Sequence, residues 1–176
     1  MIIDANVHIT HDSKWFHTNK NANEKVLLNE MDDSKVDKSI LVPFEDFITD
    51  EFVVEVYNRN KDRIIPAGSL DVSKYDTETK AVNAFLSKVE KYNFPIYKFH
   101  NRFHCYSPDD SRFLAVLEAN NNLPSPKIIF ICGLLFSDKA PIMNINPPMH
   151  FYSIAKRFSN TNFVIMHAGG SWALSL

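Results

Sequence analysis

The feature that most constrains the fold of this 176-residue chain is a regular alternation of short apolar runs with longer amphipathic segments. The apolar runs are rich in β-branched residues and nearly continuous, as is typical of strands covered on both faces. Between them, apolar residues recur at helical spacing, as at Val26, Leu27 and Met31. This alternation predicts a parallel sheet with right-handed crossovers. We expect strands within residues 1–9, 38–44, 63–70, 94–100, 127–133 and 162–170, and helices within the second half of 10–37 and within 49–62, 76–92, 107–122 and 146–159.

Length and composition indicate a soluble protein with one domain over residues 1–176. Apolar residues make up 45% of the chain and charged residues 23%, and the net charge of -2 does not favour nucleic acid or an anionic membrane as a partner. Cys105 and Cys132 lack metal-ligand spacing, and as unpaired thiols they suit a reducing cytoplasm. We expect Cys132 to be a buried small hydrophobe rather than a nucleophile. With no signal-peptide pattern at the N-terminus, we expect a cytoplasmic protein that binds a small molecule.

Histidines stand at the carboxyl ends of three predicted strands. His8 ends "NVHI", His100 ends "YKFH" and His167 ends "VIMH". In closed barrels and in open doubly wound sheets alike, the site forms at that edge of the sheet. Any one of these histidines alone is best explained as a hydrogen-bonded structural residue. Three at the same edge favour a functional site.

Other polar residues precede two of these histidines at the two-residue spacing of a strand. Asp4 and Asn6 precede His8 at two-residue spacing, which on a regular strand places all three on one face. Lys98 precedes His100 in the same way and can bind a substrate carboxylate, with a lysine that snorkels to solvent as the alternative. Asp4 has a structural alternative too, a hydrogen bond to backbone.

Two further polar residues follow the fourth predicted strand. Arg102 and His104 lie on the loop after it. We expect their side chains to be solvated. The alternative is that they extend over the mouth of the site.

Several of these segments together resemble the amidohydrolase-related family of metal-dependent hydrolases. "MIIDANVHI" resembles its first strand, I-D-x-H-x-H, and "NRNKDRIIPAGSLDV" its third-strand segment. "IYKFHNRFHCYSPDD" is similar to its fourth-strand segment, "KIIFICG" to the fifth strand, often apolar-His-Thr-Gly, and "NFVIMHAGG" to the sixth, apolar-His-(Gly/Ala)-Gly. The five segments occur in the family's order over almost the whole chain. They correspond to its first six βα units.

The resemblance implies a (β/α)₈ barrel, or TIM barrel, of which about six strands are present. It implies a hydrolase or a non-oxidative decarboxylase, whose typical members bind a divalent metal, usually zinc. The ligands there are two first-strand histidines, a fifth-strand histidine and an eighth-strand aspartate, and the sixth-strand histidine often acts as acid or base.

The metal site implied by the resemblance is incomplete in this sequence. His8 and His167 match family histidines, but Asn6 replaces the first ligand and Ile131 stands at the fifth-strand position. The sequence ends at Leu176, before a seventh and an eighth strand. We therefore expect zinc to bind weakly or not at all. Three explanations account for the missing units: a fragment of a longer chain, a truncated gene product, and a short protein that assembles with a partner such as a second copy. We expect truncation of an ancestral longer chain, by either of the first two routes.

We expect a hydrolase of the amidohydrolase type that acts on a small carboxylate, lactone or amide, or a related decarboxylase. The alternative is a catalytically inactive, truncated remnant of such an enzyme. A nucleotide-binding open sheet is disfavoured because no G-x-G-x-x-G motif or P-loop follows any predicted strand. The expected site residues are His167, Lys98 and His100 for catalysis, Asn6, Arg102 and Asp4 for substrate binding, and His8 and His167 for a metal.

Overall fold

A computed structural model describes residues 1–15, 18–44, 47–133 and 147–167. The chain divides into two compact units, Met1–Ser69 and Leu70–Leu176. Within the described residues, no helix combines the length and the apolar character needed to cross a membrane. The single-domain organisation expected from the length stays a prediction.

The first unit contains three parallel strands with a helix after each of the first two. Each strand is hydrogen-bonded to the next in sequence, so β2 lies between β1 and β3. The elements are β1 (Ile3–Val7), α1 (Glu24–Asp33), β2 (Lys38–Leu41), α2 (Asp50–Arg59) and β3 (Ile64–Ser69).

The second unit repeats the pattern with three more parallel strands, and β5 lies between β4 and β6. A short 3₁₀ turn, Val72–Lys74, precedes its first helix. The elements are α3 (Glu78–Tyr92), β4 (Ile96–Phe99), α4 (Ser111–Asn121), β5 (Ile128–Cys132), α5 (Pro147–Arg157) and β6 (Phe163–Met166). All the predicted strands and helices are therefore present, with somewhat shorter strands.

Side-chain caps fix where most of these helices begin. The side chains of Asn23, Thr49 and Thr77 each accept a hydrogen bond from the backbone N–H three residues later. Asp110 caps α4 by accepting from the N–H of Arg112, so residues 107–109, predicted as part of the helix, precede it. Such caps satisfy N–H groups that have no partner within the helix.

The strand register of the second unit determines which side chains face the helices. Tyr97 packs against Phe85 of α3, with ring centroids 5.2 Å apart, and Phe99 packs against Phe113 of α4 at 4.9 Å. Ile131 is paired with Phe99 in the parallel ladder, so it shares the helix-covered face. This face is the apolar core of the second unit.

We expect Phe85→Ala to lower the free energy of unfolding by about 3–5 kcal/mol, because it leaves a cavity beside Tyr97. Leu86→Ala is the matched control, since Leu86 is 36% exposed and Phe85 is fully buried. Its expected cost is below about 1 kcal/mol. Urea unfolding of both variants tests this, and equal losses would contradict the assigned core.

Candidate functional site

Lys98 lies on the face of β4 opposite the helices. It alternates with Tyr97 and Phe99, whose rings pack on α3 and α4, so its side chain points the other way. The residue is only 1% exposed. The snorkelling alternative is therefore wrong, because the ammonium group does not reach solvent.

Cys132 shares that face and Ile131 does not. Cys132 follows Ile131 in β5 and is paired with Met166 of β6. It is buried, as predicted, and lies close enough to Lys98 to act on its charge. The fifth-strand residues on the face of Lys98 are thus Phe130, its ladder partner, and Cys132, while Ile131 belongs to the helix-covered core.

Burial changes the acid–base chemistry of Lys98. Loss of hydration lowers the pKa of the ammonium from 10.5 to about 8, and the Cys132 thiol acts in the opposite direction. Burial of an amine favours its neutral form, so the group becomes a better base and nucleophile. At neutral pH it still carries a proton most of the time.

His167 follows the last residue of β6 and has a left-handed backbone conformation, with φ 60°. Residues other than glycine rarely adopt this conformation, and such strain concentrates at functional sites. The residue is exposed overall, yet partial burial of the imidazole lowers its pKa below 6.5, and the charges of Lys98 and Arg102 lower it further. His167 is therefore neutral at pH 7, and the three groups form one electrostatic cluster, here called the cationic cluster.

His100 and His104 belong to a second, buried group with Asp71. The Nδ1 atom of His104 lies 3.4 Å from a carboxylate oxygen of Asp71, and the side chains are 3% and 6% exposed. The ring of His100 lies edge-on to that of His104, with centroids 6.0 Å apart. The expectation that His104 is solvated is therefore wrong, because it packs beneath its own loop against Asp71.

The same loop buries an amide. Asn101 is fully buried, and neither its side-chain nitrogen nor its side-chain oxygen has a hydrogen-bond partner within the described part of the chain. Buried polar groups are nearly always paired, so one without a partner marks a place where water or a ligand completes the structure. Sequence reasoning missed Asn101 and Asp71, although the dense run "HNRFH" is a signal for the former.

In the first unit, the regular alternation expected for Asp4, Asn6 and His8 is interrupted. Asp4 is paired with Ser39, and Val7 is paired with Leu41, so three steps on β1 match two on β2. Such a bulge reorients the side chains around it. Asp4 is exposed, and its carboxylate accepts the backbone N–H of Asn6 at 3.1 Å, the structural alternative considered for this residue.

His8 is half-buried in an aromatic setting. Its Nδ1 atom lies 2.8 Å from the carbonyl oxygen of Val42, so Nδ1 carries the proton and Nε2 holds the lone pair of the neutral ring. Trp15 and Phe44 lie within 6 Å of the ring, centroid to centroid. The residue lines a cavity of about 270 Å³ bounded also by Trp15 and α1, near the lower limit for a small-ligand site.

Comparison with solved structures identifies the fold. An uncharacterized TIM-barrel protein from Bordetella bronchiseptica matches 99% of this chain and 69% of its own, with a TM-score of 0.72 and 14% identity. A 5-carboxyvanillate decarboxylase from Novosphingobium aromaticivorans, a mutant with bound manganese, matches 100% of this chain and 69% of its own, with a TM-score of 0.70 and 12% identity. The chain has a TIM-barrel-type fold.

This result confirms the predicted fold class, with six βα-type strands described here. An amidohydrolase II structure matches likewise, covering 99% of this chain and 69% of its own with a TM-score of 0.61 and 15% identity. No family model matches the sequence, and comparison with curated proteins finds no match.

The donor atoms of the described residues do not fit the divalent metal that the resemblance implies. Among these residues, no three His, Cys, Asp or Glu side chains are placed to hold a metal ion. The hydrogen bond from Nδ1 of His8 to a carbonyl oxygen is one that metal-binding histidines commonly make, but Asn6 stands where the neighbouring histidine ligand is expected. His167 lies near the positive charges of Lys98 and Arg102, which oppose a further cation. The two glycines that follow, Gly169 and Gly170, lie outside the described residues.

We expect Lys98→Met to stabilise the protein at neutral pH. A lysine pKa lowered from 10.5 to about 8 corresponds to a cost of roughly 3 kcal/mol while the group is charged. The folded state releases its proton at lower pH than the unfolded state, so the wild type gains stability as pH rises from 8 towards 10.5. The advantage of the variant, measured by urea unfolding, should shrink over that interval.

Lys80→Met is the control for that experiment, because Lys80 is exposed and paired with Asp76. It should give no such pH-dependent gain. A Lys98→Met variant less stable than the wild type at pH 7 would contradict the assigned burial of the charge.

We expect Asp71→Ala to lower the free energy of unfolding by about 1–3 kcal/mol. The Asp71 carboxylate accepts hydrogen bonds from the backbone N–H and the hydroxyl of Ser73, and it contacts His104. Asp76→Ala is the control, since that side chain is 81% exposed. Thermal unfolding that does not distinguish the two variants would contradict the role of Asp71.

Proposed function

We propose that this chain is a hydrolase of the amidohydrolase type that cleaves an ester, lactone or amide bond in a small substrate bearing a carboxylate. The observation that carries the proposal is the position of three basic residues at the carboxyl ends of two strands: buried Lys98 near the end of β4, Arg102 in the loop after β4, and His167 directly after β6. Lys98 is the last residue but one of β4, and Arg102 and His167 follow β4 and β6 of a TIM-barrel-type fold. In such folds, catalytic groups lie at the carboxyl ends of the strands.

The cluster supplies two of the elements that hydrolysis of an acyl bond requires. The positive charges of Lys98 and Arg102 attract a carboxylate and stabilise the oxyanion that forms when the acyl carbon is attacked. His167, held neutral at pH 7, accepts a proton from the attacking water and returns it to the leaving group. His100, which also lies in the second unit, is proposed as a further catalytic residue.

An inactive relative is the second candidate, and one observation favours it. The described residues provide no group of three metal-binding side chains, whereas the decarboxylase of this fold was solved with bound manganese. Under this alternative, the cluster binds a carboxylate without turnover. Decarboxylation of an aromatic acid is a related reaction and should be measured together with hydrolysis.

We expect purified protein to hydrolyse members of a panel of small lactones, esters and amides that carry a carboxylate. The value of kcat/KM should rise with pH through the pKa of His167, below 6.5, because the base must be unprotonated. It should fall above about pH 8, where Lys98 loses its proton and its charge. Continuous assays over this pH range give the profile.

Matched variants test the roles of the residues. His167→Gln should reduce kcat by about 10²–10⁴-fold, and Lys98→Met should raise KM and remove the alkaline limb of the profile. Lys80→Met, which changes an exposed lysine, should leave both unchanged. Carboxylate binding without turnover would support the inactive alternative, and full activity of His167→Gln would overturn the proposed base.

A further inference from the structure

The first unit contains a cavity of about 270 Å³ between the end of β1, the loop that follows it and α1, here called the α1 cavity. We propose that the α1 cavity binds a small α-amino acid with an apolar side chain, such as leucine. This inference does not rest on the proposed function, whose residues belong to the second unit.

The wall of the cavity opposite α1 is an ordered loop. The backbone N–H of Thr10 donates to the carbonyl oxygen of Ala22 at 2.7 Å, and that of Trp15 donates to the carbonyl oxygen of Lys20 at 2.9 Å. The two sides of the loop pair in the antiparallel sense. Backbone hydrogen bonds therefore hold Trp15 and Lys20 where they line the cavity.

The floor of the cavity is apolar. Val26 and Leu27 of α1 line it, together with Ile9 and the indole of Trp15. Ile9 is 2% exposed and Leu27 is 8% exposed, so the floor is continuous with the core of this unit. An apolar side chain that enters the cavity removes this surface and its own from water, which is favourable.

The rim of the cavity carries charges of both signs. Lys20 and Glu30 both line the cavity, and both residues are exposed. Neither side chain forms an ion pair with another residue in the part of the chain that the structure describes. Because both side chains bound one small cavity, a single ligand can contact both.

An α-amino acid matches this arrangement of charge. Its carboxylate and its ammonium group are attached to one carbon atom, and its side chain extends from the same atom. The carboxylate can pair with Lys20 and the ammonium group with Glu30, while the side chain covers the apolar floor. A ligand that is only anionic would be repelled by Glu30, and one that is only cationic would be repelled by Lys20.

The volume of the cavity limits the size of the ligand. At about 270 Å³ it lies near the lower limit for small-ligand sites. A nucleotide or a folded peptide segment is too large for such a cavity, whereas a single amino acid is of suitable size.

Calorimetric titration of the full chain at pH 7 tests the proposal with four ligands. L-leucine should bind with a dissociation constant on the order of 0.1–1 mM. We expect at least about fivefold weaker binding of 4-methylpentanoate, which lacks the ammonium group, and of 3-methylbutylamine, which lacks the carboxylate. Glycine, which lacks the apolar side chain, should also bind more weakly. Absence of leucine binding, or equal binding of any of the other three, would overturn the proposal.

Charge variants assign each end of the ligand. Lys20→Met should weaken leucine binding at least about fivefold without weakening that of 3-methylbutylamine. Glu30→Gln should weaken leucine binding similarly without weakening that of 4-methylpentanoate. Lys25→Met is the matched control, because Lys25 is an exposed residue of α1 outside the lining of the cavity. It should leave leucine binding unchanged.

A cavity-filling variant tests the location of the ligand. Val26 is half-buried at the cavity, and Val26→Phe should fill it and abolish leucine binding. Urea unfolding of the variant checks that the fold is retained, and the two charge variants test the same location at exposed residues. Leucine binding that is unchanged in Val26→Phe, or unchanged in both Lys20→Met and Glu30→Gln, would overturn the proposal.

Discussion

The pairing register of β4, β5 and β6 is the constraint on which the candidate site depends. Phe99, Ile131 and Ile165 are paired across the three strands, and Phe99 packs on α4. Because side chains alternate along a strand, fixing this apolar row against the helices also fixes Lys98 and Cys132 on the opposite face. A slip by one residue would exchange the two faces and bury the ammonium among the helices. The core and the site are therefore set by one register.

Placing a lysine on that face has a cost. An ammonium group 1% exposed loses hydration that its neighbours replace only in part, as the lowered pKa of Lys98 reflects. Left-handed His167 and the buried amide of Asn101 are two further unfavourable features in the same unit. Proteins retain such features where function requires them, because selection for stability alone would remove them. All three lie within or directly after β4 and β6, at the carboxyl ends where the candidate site is placed.

Much of the fold could be predicted from the sequence, because the periods of buried strands and amphipathic helices differ clearly. Lys98 and His167 could also be placed at strand ends from their position alone. The environment of His104 could not be predicted, because its burial against Asp71 depends on a contact between residues 33 positions apart in the sequence. The bulge in β1 was equally hidden, because nothing in "IDANV" distinguishes a regular strand from one that gains a residue between Asp4 and Val7.

The most informative difference concerns the fifth strand. Aligned by motif, Ile131 occupies the place of a metal-binding histidine, which makes the sequence look like a metal site with a ligand lost. In the structure that side chain belongs to the helix-covered core, and the fifth-strand residues on the face of Lys98 are Phe130, its ladder partner, and Cys132. The positive charges of Lys98 and Arg102 act on His167. A metal ion acting as a Lewis acid would supply positive charge to a bound substrate in a similar way. Fixed cations and a metal ion repel each other, and the carboxylate substrate proposed above is a ligand that such cations attract.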